Sequence, residues 1–156
     1  MKRTNINWKA LIFFLAYTLL LGGLGALLGG NFDIESLVQP PLAPPAWLFP
    51  VVWTALYTLM AIASYLVYAT GDVGRREPLQ LYLLQVVVNI LWPLFFFRLE
   101  WRLFAFVWIL VLIALVVMVL RGFYPISPAA AYLLIPYLVW LAFAAYLNLG
   151  FYVLNG

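Results

Sequence analysis

Three predicted helix faces in this chain of 156 residues combine aromatic rings with uncharged polar groups. Residues three, four or seven positions apart share one face of an α-helix, and three sets have that spacing. They are Trp53 with Tyr57, Gln85 with Asn89 and Trp92, and Trp140 with Ala144 and Asn148. An indole or amide deep in a membrane needs a hydrogen-bond partner. These faces therefore indicate either contacts between helices or a largely apolar pocket with a few orienting groups.

The sequence disfavours most acid–base, thiol and metal chemistry. It contains no His and no Cys, and its eight Lys and Arg and five Asp and Glu lie between or at the ends of long apolar stretches. A general base, a proton relay, a zinc site or a strong haem ligand has no evident candidate there. We therefore expect no metal site, no resident cofactor and no conventional enzyme. The cations are spread over loops and form no stripe for nucleic acid.

Aromatic stacking indicates which ligand such a pocket would select. A stacked ring contributes about 0.5–1.5 kcal/mol beyond burial, so three rings could contribute about 1.5–4.5 kcal/mol. An apolar molecule already dissolved in lipid gains little hydrophobic free energy on entering the protein. Shape, stacking and the amides must then provide the selection, which favours a large, flat ligand.

Five apolar stretches are each long enough to cross about 30 Å of hydrocarbon at about 1.5 Å per residue. They cover about 10–29, 46–69, 79–97, 103–121 and 128–153. With 68% hydrophobic and 8% charged residues, a water-soluble fold of this length is excluded. The chain is predicted to be an all-α integral membrane protein in which residues 1–156 form a single five-transmembrane-helix bundle.

Loop charges predict the orientation of this bundle. Counting alternate sides of the spans, six cations share the side of the N-terminus, and two, Arg98 and Arg102, lie on the other. Cytoplasmic loops are enriched in Lys and Arg, so we expect a cytoplasmic N-terminus in a bacterial-type cell membrane. A signal peptide is the alternative for the first stretch, but its apolar run exceeds the about 7–15 residues of a signal core.

Proline and glycine mark the segments that shape the bundle. Residues 31–45 form a stiff, proline-rich connection that could close one end of the bundle as a lid. The residues assigned to this lid, here called the lid markers, are Pro40, Pro44, Pro45 and Trp47. Prolines in or near the spans predict kinks that could open a cavity; they are Pro50, Pro93 and Pro136. The first span carries Gly22-x-x-x-Ala26 and Gly25-x-x-x-Gly29, spacings that allow close helix approach. We favour packing inside the bundle over a dimer seam for this glycine face.

Four ordered blocks of sequence lie within about residues 37–148. The first two are Gln39-Pro40 with Pro44-Pro45-Ala46-Trp47, and Val52-Trp53-Thr54-Ala55-Leu56-Tyr57. The others are Asn89-Ile90-Leu91-Trp92-Pro93-Leu94-Phe95-Phe96, and Pro136-Tyr137-Leu138-Val139-Trp140-Leu141-Ala142-Phe143-Ala144 with Leu147-Asn148. Together they resemble the tryptophan-rich sensory protein family, the bacterial relatives of the mitochondrial translocator protein or peripheral benzodiazepine receptor. The resemblance implies a five-helix bundle, commonly a homodimer, that binds porphyrins, hydrophobic drug-like ligands and, in some members, sterols.

The resemblance also implies which residues line the ligand pocket beneath the first loop. They are Trp53, Tyr57, Asn89, Trp92, Trp140, Ala144 and Asn148. The chain departs from the family pattern in that loop, with Phe32-Asp33 in place of Trp-Tyr, Gln39 in place of Lys and Leu42 where Trp is frequent. The C-terminal residues 151–156 lack the cation of the family's sterol-recognition segment, which argues modestly against sterol binding.

Three hypotheses of function follow. The first is a membrane receptor or carrier for porphyrins and other flat hydrophobic ligands, in stress sensing or tetrapyrrole balance. The second is light- and oxygen-dependent porphyrin breakdown, with Trp53 and Trp140 as the redox-active residues. The third is a membrane scaffold that binds its partner through the glycine face of the first span. The expected partners are a porphyrin or similar molecule, the lipid bilayer and a second copy of the chain, without nucleic acid.

Overall fold

The computed structural model describes residues 5–31 and 33–156. Lys2 and Arg3 of the charge count and Phe32 of the predicted lid loop lie outside the described residues. The α-helices are α1 (Trp8–Gly29), α2 (Leu48–Ala69), α3 (Arg76–Pro93), α4 (Arg102–Phe123), α5 (Pro128–Leu133) and α6 (Ile135–Asn155). A π-helical segment, Leu94–Arg98, follows α3, and short 3-10 turns occupy Ile34–Ser36 and Val73–Arg75.

Five helical segments in the described part of the chain are long and apolar enough to cross a membrane. They are Trp8–Gly29, Leu48–Ala69, Val73–Arg98, Arg102–Phe123 and Pro128–Asn155. The predicted all-α, five-span fold class is confirmed. The fifth span is divided into α5 and α6, and Pro136 lies in the first turn of α6, where its missing N–H removes no hydrogen bond of the helix.

The helices pack so that α1 contacts both α2 and α3, while α4 contacts α3 and α6 and α5 contacts α2. The Asn7 amide at the start of α1 donates to the Tyr65 hydroxyl near the end of α2, with 3.0 Å between N and O. This bond joins the start of α1 to the end of α2, so the two helices run antiparallel even though the segment between them is long. The shared interior of α1, α2 and α3 is where a site could form.

The glycine face of α1 packs inside the bundle. A Cβ atom added at Gly25 would lie 3.1 Å from the Ile90 Cα of α3, and one added at Gly29 would lie 3.1 Å from the Pro93 Cβ. These approaches are tighter than almost all real Cβ contacts, so glycine at both positions lets α1 come close to α3 without displacing it. The scaffold hypothesis loses the surface on which it relied, because the chain's own helices cover it.

The half of the bundle near the start of α3 has a closed core. Tyr82 and Phe123 are fully buried, with ring centroids 6.3 Å apart. The Tyr82 hydroxyl is hydrogen-bonded to the Thr18 hydroxyl of α1. The Ser64 hydroxyl donates to the Met60 carbonyl of its own helix over 3.0 Å. Large rings and locally paired hydroxyls leave this half well filled.

Candidate functional site

A cavity of about 240 Å³, here called the main cavity, lies between α1, α2 and α3 and is also lined by residues of α4 and α6. Its α1 wall has almost no side chains, and aromatic rings dominate the opposite walls. The lining residues are Gly22, Ala26, Gly29, Gly30, Phe49, Pro50, Trp53, Tyr57, Asn89, Trp92, Pro93, Phe97, Ile109, Leu112 and Leu141. The cavity is therefore mostly apolar, with few polar groups in its walls.

Glycine and proline create this space. The glycines of α1 bring its backbone close to α3 but contribute no side chain to fill the interior. Pro93 ends the regular part of α3, and the following turn is π-helical, with the Leu99 amide bonded to the Leu94 carbonyl over 2.9 Å. A proline cannot donate to the helix ladder, and π-helical turns often occur at functional sites. The cavity lies beside this irregular backbone.

Two aromatic groups form the walls opposite α1. The rings of Trp53 and Tyr57 have centroids 5.4 Å apart, and Trp53 also meets the edge of Tyr137 at 6.2 Å. On α3, Trp92 stacks on Phe96 with centroids 5.0 Å apart and an angle of 20° between the ring planes. Rings held by neighbouring rings in this way present fixed faces to the cavity.

Hydroxyl and amide groups connect the walls in a buried chain of hydrogen bonds. The Tyr57 hydroxyl donates to the Asn89 Oδ1 over 2.9 Å, and the Asn89 Nδ2 donates to the Tyr137 hydroxyl. Tyr137 in turn donates to the Gln85 Oε1 over 3.0 Å. These bonds join α2, α3 and α6, so both amides link helices, as one of the two interpretations of their spacing proposed. Asn89 also contributes to the cavity wall.

A second polar connection lies on the other side of Trp92. The Trp92 Nε1 donates to the Asn148 Oδ1 over 2.9 Å, and the Asn148 Nδ2 donates to the Arg102 carbonyl over 2.7 Å. A small cavity of about 20 Å³, here called the side chamber, lies beside this connection. Its lining residues are Ile34, Phe49, Trp92, Phe96, Phe97, Ala144, Leu147, Asn148 and Phe151.

The predicted site residues fall into three groups. Trp53, Tyr57, Asn89 and Trp92 line the main cavity. Ala144 and Asn148 line the side chamber, together with Trp92. Gln85 and Trp140 line neither of these two cavities.

Gln85 and Trp140 differ in whether their polar groups have hydrogen-bond partners. Gln85 is 1% exposed and lies behind Tyr137 in the hydrogen-bond chain. Trp140 packs against Phe49 and Phe143, with ring centroids 6.1 Å and 5.5 Å away. The Trp140 Nε1 is buried without a hydrogen-bond partner among the described residues. Trp140 therefore lies next to a cavity residue rather than in the lining of the main cavity.

Sequence reasoning missed several residues of the site. Tyr137 lies three residues before Trp140 and shares its helix face, so its hydroxyl could have been found by the same spacing rule. Phe49, Phe97 and Leu141 gave no signal, because an apolar residue in an apolar span can face lipid or interior. The glycines were recognised as a packing face but not as the wall of a cavity.

The predicted lid segment is docked on α6. Pro40 is buried against Gly150, where an added Cβ would lie 2.7 Å from the Pro40 Cβ. The Asn155 side chain accepts from the Val38 amide over 2.9 Å and donates to the Val38 carbonyl over 3.0 Å. The Tyr146 hydroxyl donates to the Pro41 carbonyl over 2.7 Å. Two side chains of α6 therefore hold the segment by its backbone.

The other lid markers are more open. Pro44 is half-buried, Pro45 is exposed and Trp47 is 66% exposed. Among the described residues of the segment, Ile34 reaches the side chamber. The lid role of residues 31–45 stays a prediction.

Fold and site together define the class of protein: a multi-pass membrane protein of five spans that encloses an aromatic cavity. The TspO/MBR family profile matches residues 8–154. The chain belongs to the TspO/MBR family.

Curated relatives cover most of the chain. The translocator protein homolog of Schizosaccharomyces pombe is 37% identical over 127 residues, which is 79% of this chain and 77% of that protein. The translocator protein of Bos taurus is 35% identical over 139 residues, which is 83% of this chain and 82% of that protein. The tryptophan-rich sensory protein of Cereibacter sphaeroides is 32% identical over 144 residues, which is 92% of this chain and 90% of that protein. Family membership supports a membrane receptor or sensor role.

Proposed function

We propose that this protein is a membrane receptor or carrier that binds a porphyrin or a similar flat tetrapyrrole in the main cavity. The observation that carries the proposal is the pairing of two unlike walls. The α1 wall, with Gly22, Gly29 and Gly30, is nearly smooth, and Trp53 and Trp92 present rings from the other helices. A slot with a smooth wall and an aromatic wall favours a flat molecule over a globular one.

Selection in this slot rests on shape and stacking more than on hydrogen bonds. Asn89, the amide in the cavity wall, is already bonded to Tyr57 and Tyr137. A ligand that competed for these groups would have to break bonds whose loss is costly in a buried place. The resemblance of the sequence to porphyrin-binding proteins supplies the ligand class, in stress sensing or tetrapyrrole balance.

A dark titration of the detergent-solubilised protein with protoporphyrin IX tests the proposal. We expect saturable binding at one site, which the shift of the porphyrin absorbance band measures. Trp53→Leu removes one stacking ring and should weaken affinity about two- to twelve-fold, the equivalent of about 0.5–1.5 kcal/mol. The matched control is Trp8→Leu, because Trp8 is 61% exposed at the start of α1.

The control separates cavity binding from partitioning into micelles. Equal affinities for Trp53→Leu and Trp8→Leu, or unsaturable uptake by all three proteins, would defeat the proposal. Trp140→Leu, in the same titration, measures whether a ring beside the lining contributes to binding. Detergent alone supplies the partitioning baseline.

Light- and oxygen-dependent breakdown of a bound porphyrin is the second candidate function. Trp53 favours it, since it lines the cavity and contacts both Tyr57 and Tyr137. Molecular oxygen would be the oxidant, and illumination of the bound porphyrin would start the reaction. Under light and air, Trp53→Phe should lose product formation while it retains dark binding. Product formed at the same rate by the wild-type protein and by Trp53→Phe, or by the wild-type protein and by micelles with porphyrin alone, would rule this function out.

We also propose an orientation in the membrane and a homodimer for this protein. The charge count favours a cytoplasmic N-terminus in a bacterial-type cell membrane. A homodimer would use a face other than the glycine face of α1, which α3 covers. Because the chain has no Cys, Val73→Cys provides a single label at a 99% exposed position in the connection after α2. Labelling of intact cells by an impermeant reagent at this position would contradict the orientation.

A further inference from the structure

We propose that Trp92, held by Asn148, is a movable partition between the main cavity and the side chamber, and that a macrocycle binds only when this partition moves. The inference rests on the proposed function and specifies how the same site selects ligand size. Smaller flat molecules would occupy the main cavity with the partition in place. Asn148 would then be a specificity-determining residue that acts by positioning Trp92.

The two cavities are neighbours separated by side chains. Phe49, Trp92 and Phe97 appear in the lining of both. Of these three, Trp92 is the residue whose polar atom is fixed on the side-chamber side, through its 2.9 Å bond to Asn148. Moving this ring would join the two spaces, because the same ring forms a wall of each.

The volumes explain why the partition matters. The main cavity encloses about 240 Å³, and the side chamber encloses about 20 Å³. Pockets for drug-sized ligands usually span about 300–1,000 Å³. With Trp92 in place, the main cavity lies below this range, which suits three fused rings better than a macrocycle of four pyrrole rings. Moving the ring adds the side chamber and the volume that the indole itself occupies. The structure therefore has a ligand-size threshold, and the side chamber is the direction in which an interior wall can yield.

The bonds around Trp92 indicate which partner moves. Asn148 is 1% exposed and is fixed by a second bond, from its Nδ2 to the Arg102 carbonyl at 2.7 Å. Trp92 is half-buried and lies directly before Pro93 and the π-helical turn, where the regular helix ladder ends. The ring therefore has more freedom than the amide that holds it. Moving the ring breaks its hydrogen bond to Asn148, and it joins the main cavity to the side chamber, which makes room for the ligand.

The test compares two flat ligands of different size on the same variants, in the same detergent. The ligands are protoporphyrin IX and acridone, a neutral molecule of three fused rings, and the readout is the ratio of their affinities. Asn148→Leu removes the acceptor of the Trp92 bond and should raise the ratio in favour of porphyrin about three-fold. That change equals about 0.6 kcal/mol, the mean for a hydrogen bond inside a membrane protein. Asn148→Gln keeps an acceptor for the Trp92 Nε1 and a donor for the Arg102 carbonyl, so it should stay close to the wild-type ratio.

A second variant should move the ratio in the opposite direction. Leu147 lines the side chamber and is 3% exposed, so Leu147→Phe fills that space with a larger side chain. We expect it to weaken porphyrin binding at least three-fold more than acridone binding. Simple loss of stability cannot produce shifts of opposite sign, and thermal melts of both variants record their folding.

The outcomes distinguish the partition from the function on which it rests. Unsaturable porphyrin uptake by the wild-type protein defeats the proposed function and the partition with it. Saturable wild-type binding with equal losses of both ligands in Asn148→Leu defeats the partition alone, because Asn148 would then merely support the cavity wall. An unchanged ratio in Leu147→Phe has the same meaning, even if Asn148→Leu fails to fold.

Discussion

The two halves of this bundle use similar residues but produce a closed core in one and a cavity in the other. In the closed half, Tyr82 and Phe123 fill the space between helices and are fully buried. In the other half, the side chains of Trp53 and Trp92 are larger still, yet a cavity of about 240 Å³ remains beside them. Aromatic residues alone therefore do not decide whether the interior is filled. The backbone beside them does: glycines leave one wall without side chains, and Pro93 ends the regular helix.

The two halves also differ in how their polar groups are connected. In the closed half, the Tyr82 hydroxyl is hydrogen-bonded to the Thr18 hydroxyl of α1. Around the cavity, the bonds form a chain from Tyr57 through Asn89 and Tyr137 to Gln85. Atoms that border a cavity lose packing contacts on one side, so directional bonds become a larger share of what fixes them. The cavity half is thus braced by hydrogen bonds, and the closed half by packing.

Replacement of Gly25 should produce the largest effect, because it removes the close approach that shapes the cavity wall. In Gly25→Leu the new side chain meets the backbone of Ile90, which cannot move aside as a side chain can. We expect a loss of about 3 kcal/mol in the free energy of unfolding, at the upper end of ordinary overpacking. Denaturant unfolding in detergent measures it.

The matched control lies two residues away in the same helix. A Cβ at Gly23 would meet nothing within 4 Å, so Gly23→Leu should be close to neutral. Similar unfolding curves for the two variants would show that α1 does not need its glycines to reach α3. The comparison of the two halves would then lose its backbone explanation.

Loss of the Asn89 amide should have an intermediate effect and should separate the two halves most clearly. Asn89→Leu leaves the Tyr57 and Tyr137 hydroxyls each without one partner, which should cost about 2 kcal/mol of stability. Porphyrin affinity should fall as well, because these groups hold cavity walls in place. Denaturant unfolding and the dark titration measure the two effects.

The corresponding change in the closed half is Tyr82→Phe, which removes one hydroxyl and keeps the ring. It should cost about 0.6 kcal/mol and leave porphyrin affinity at the wild-type value. A drop in affinity for Tyr82→Phe equal to that for Asn89→Leu would mean that both halves contribute to the site.

Release of the lid segment should produce the smallest effect on stability. Asn155→Ala removes both bonds to Val38 at the membrane surface, where water can replace them, so the expected loss is about 0.5 kcal/mol. Amide hydrogen exchange of residues 37–41 should nevertheless become faster, since local opening no longer breaks these bonds. The control is Asn5→Ala, which changes an exposed Asn before α1. Exchange rates that match this control would remove Asn155 as the residue that holds the segment.

Helical spacing predicted more of the cavity lining on α2 and α3 than on α6. The residues predicted on those two helices line the main cavity: Trp53, Tyr57, Asn89 and Trp92. Polar and aromatic residues three or four positions apart point in the same direction from a helix, so they face the interior together. Trp140 has the same kind of spacing, yet it lies beside Phe49, outside that lining. Spacing determines which residues share a face, but not how far that face lies from the other helices.

The polar groups illustrate the same limit. The sequence left Gln85 and Asn89 with two interpretations, as free pocket groups or as links between helices. Only the positions of the Tyr57 and Tyr137 hydroxyls decide between them, and these come from other helices, 32 and 48 residues from Asn89. Hydrogen bonds over such separations depend on helix packing, which no local pattern specifies.

The sequence by itself determined the environment and the plan of this protein. Apolar stretches without charge require spans, since lipid cannot solvate a charged side chain or an unpaired backbone. Ordered blocks over most of the chain determined the family. The tertiary structure alone decided where space remains between the spans, which rings face it and which amides are already occupied. The physical reason is that burial in lipid is a property of each helix, whereas a cavity is a property of several helices packed against each other.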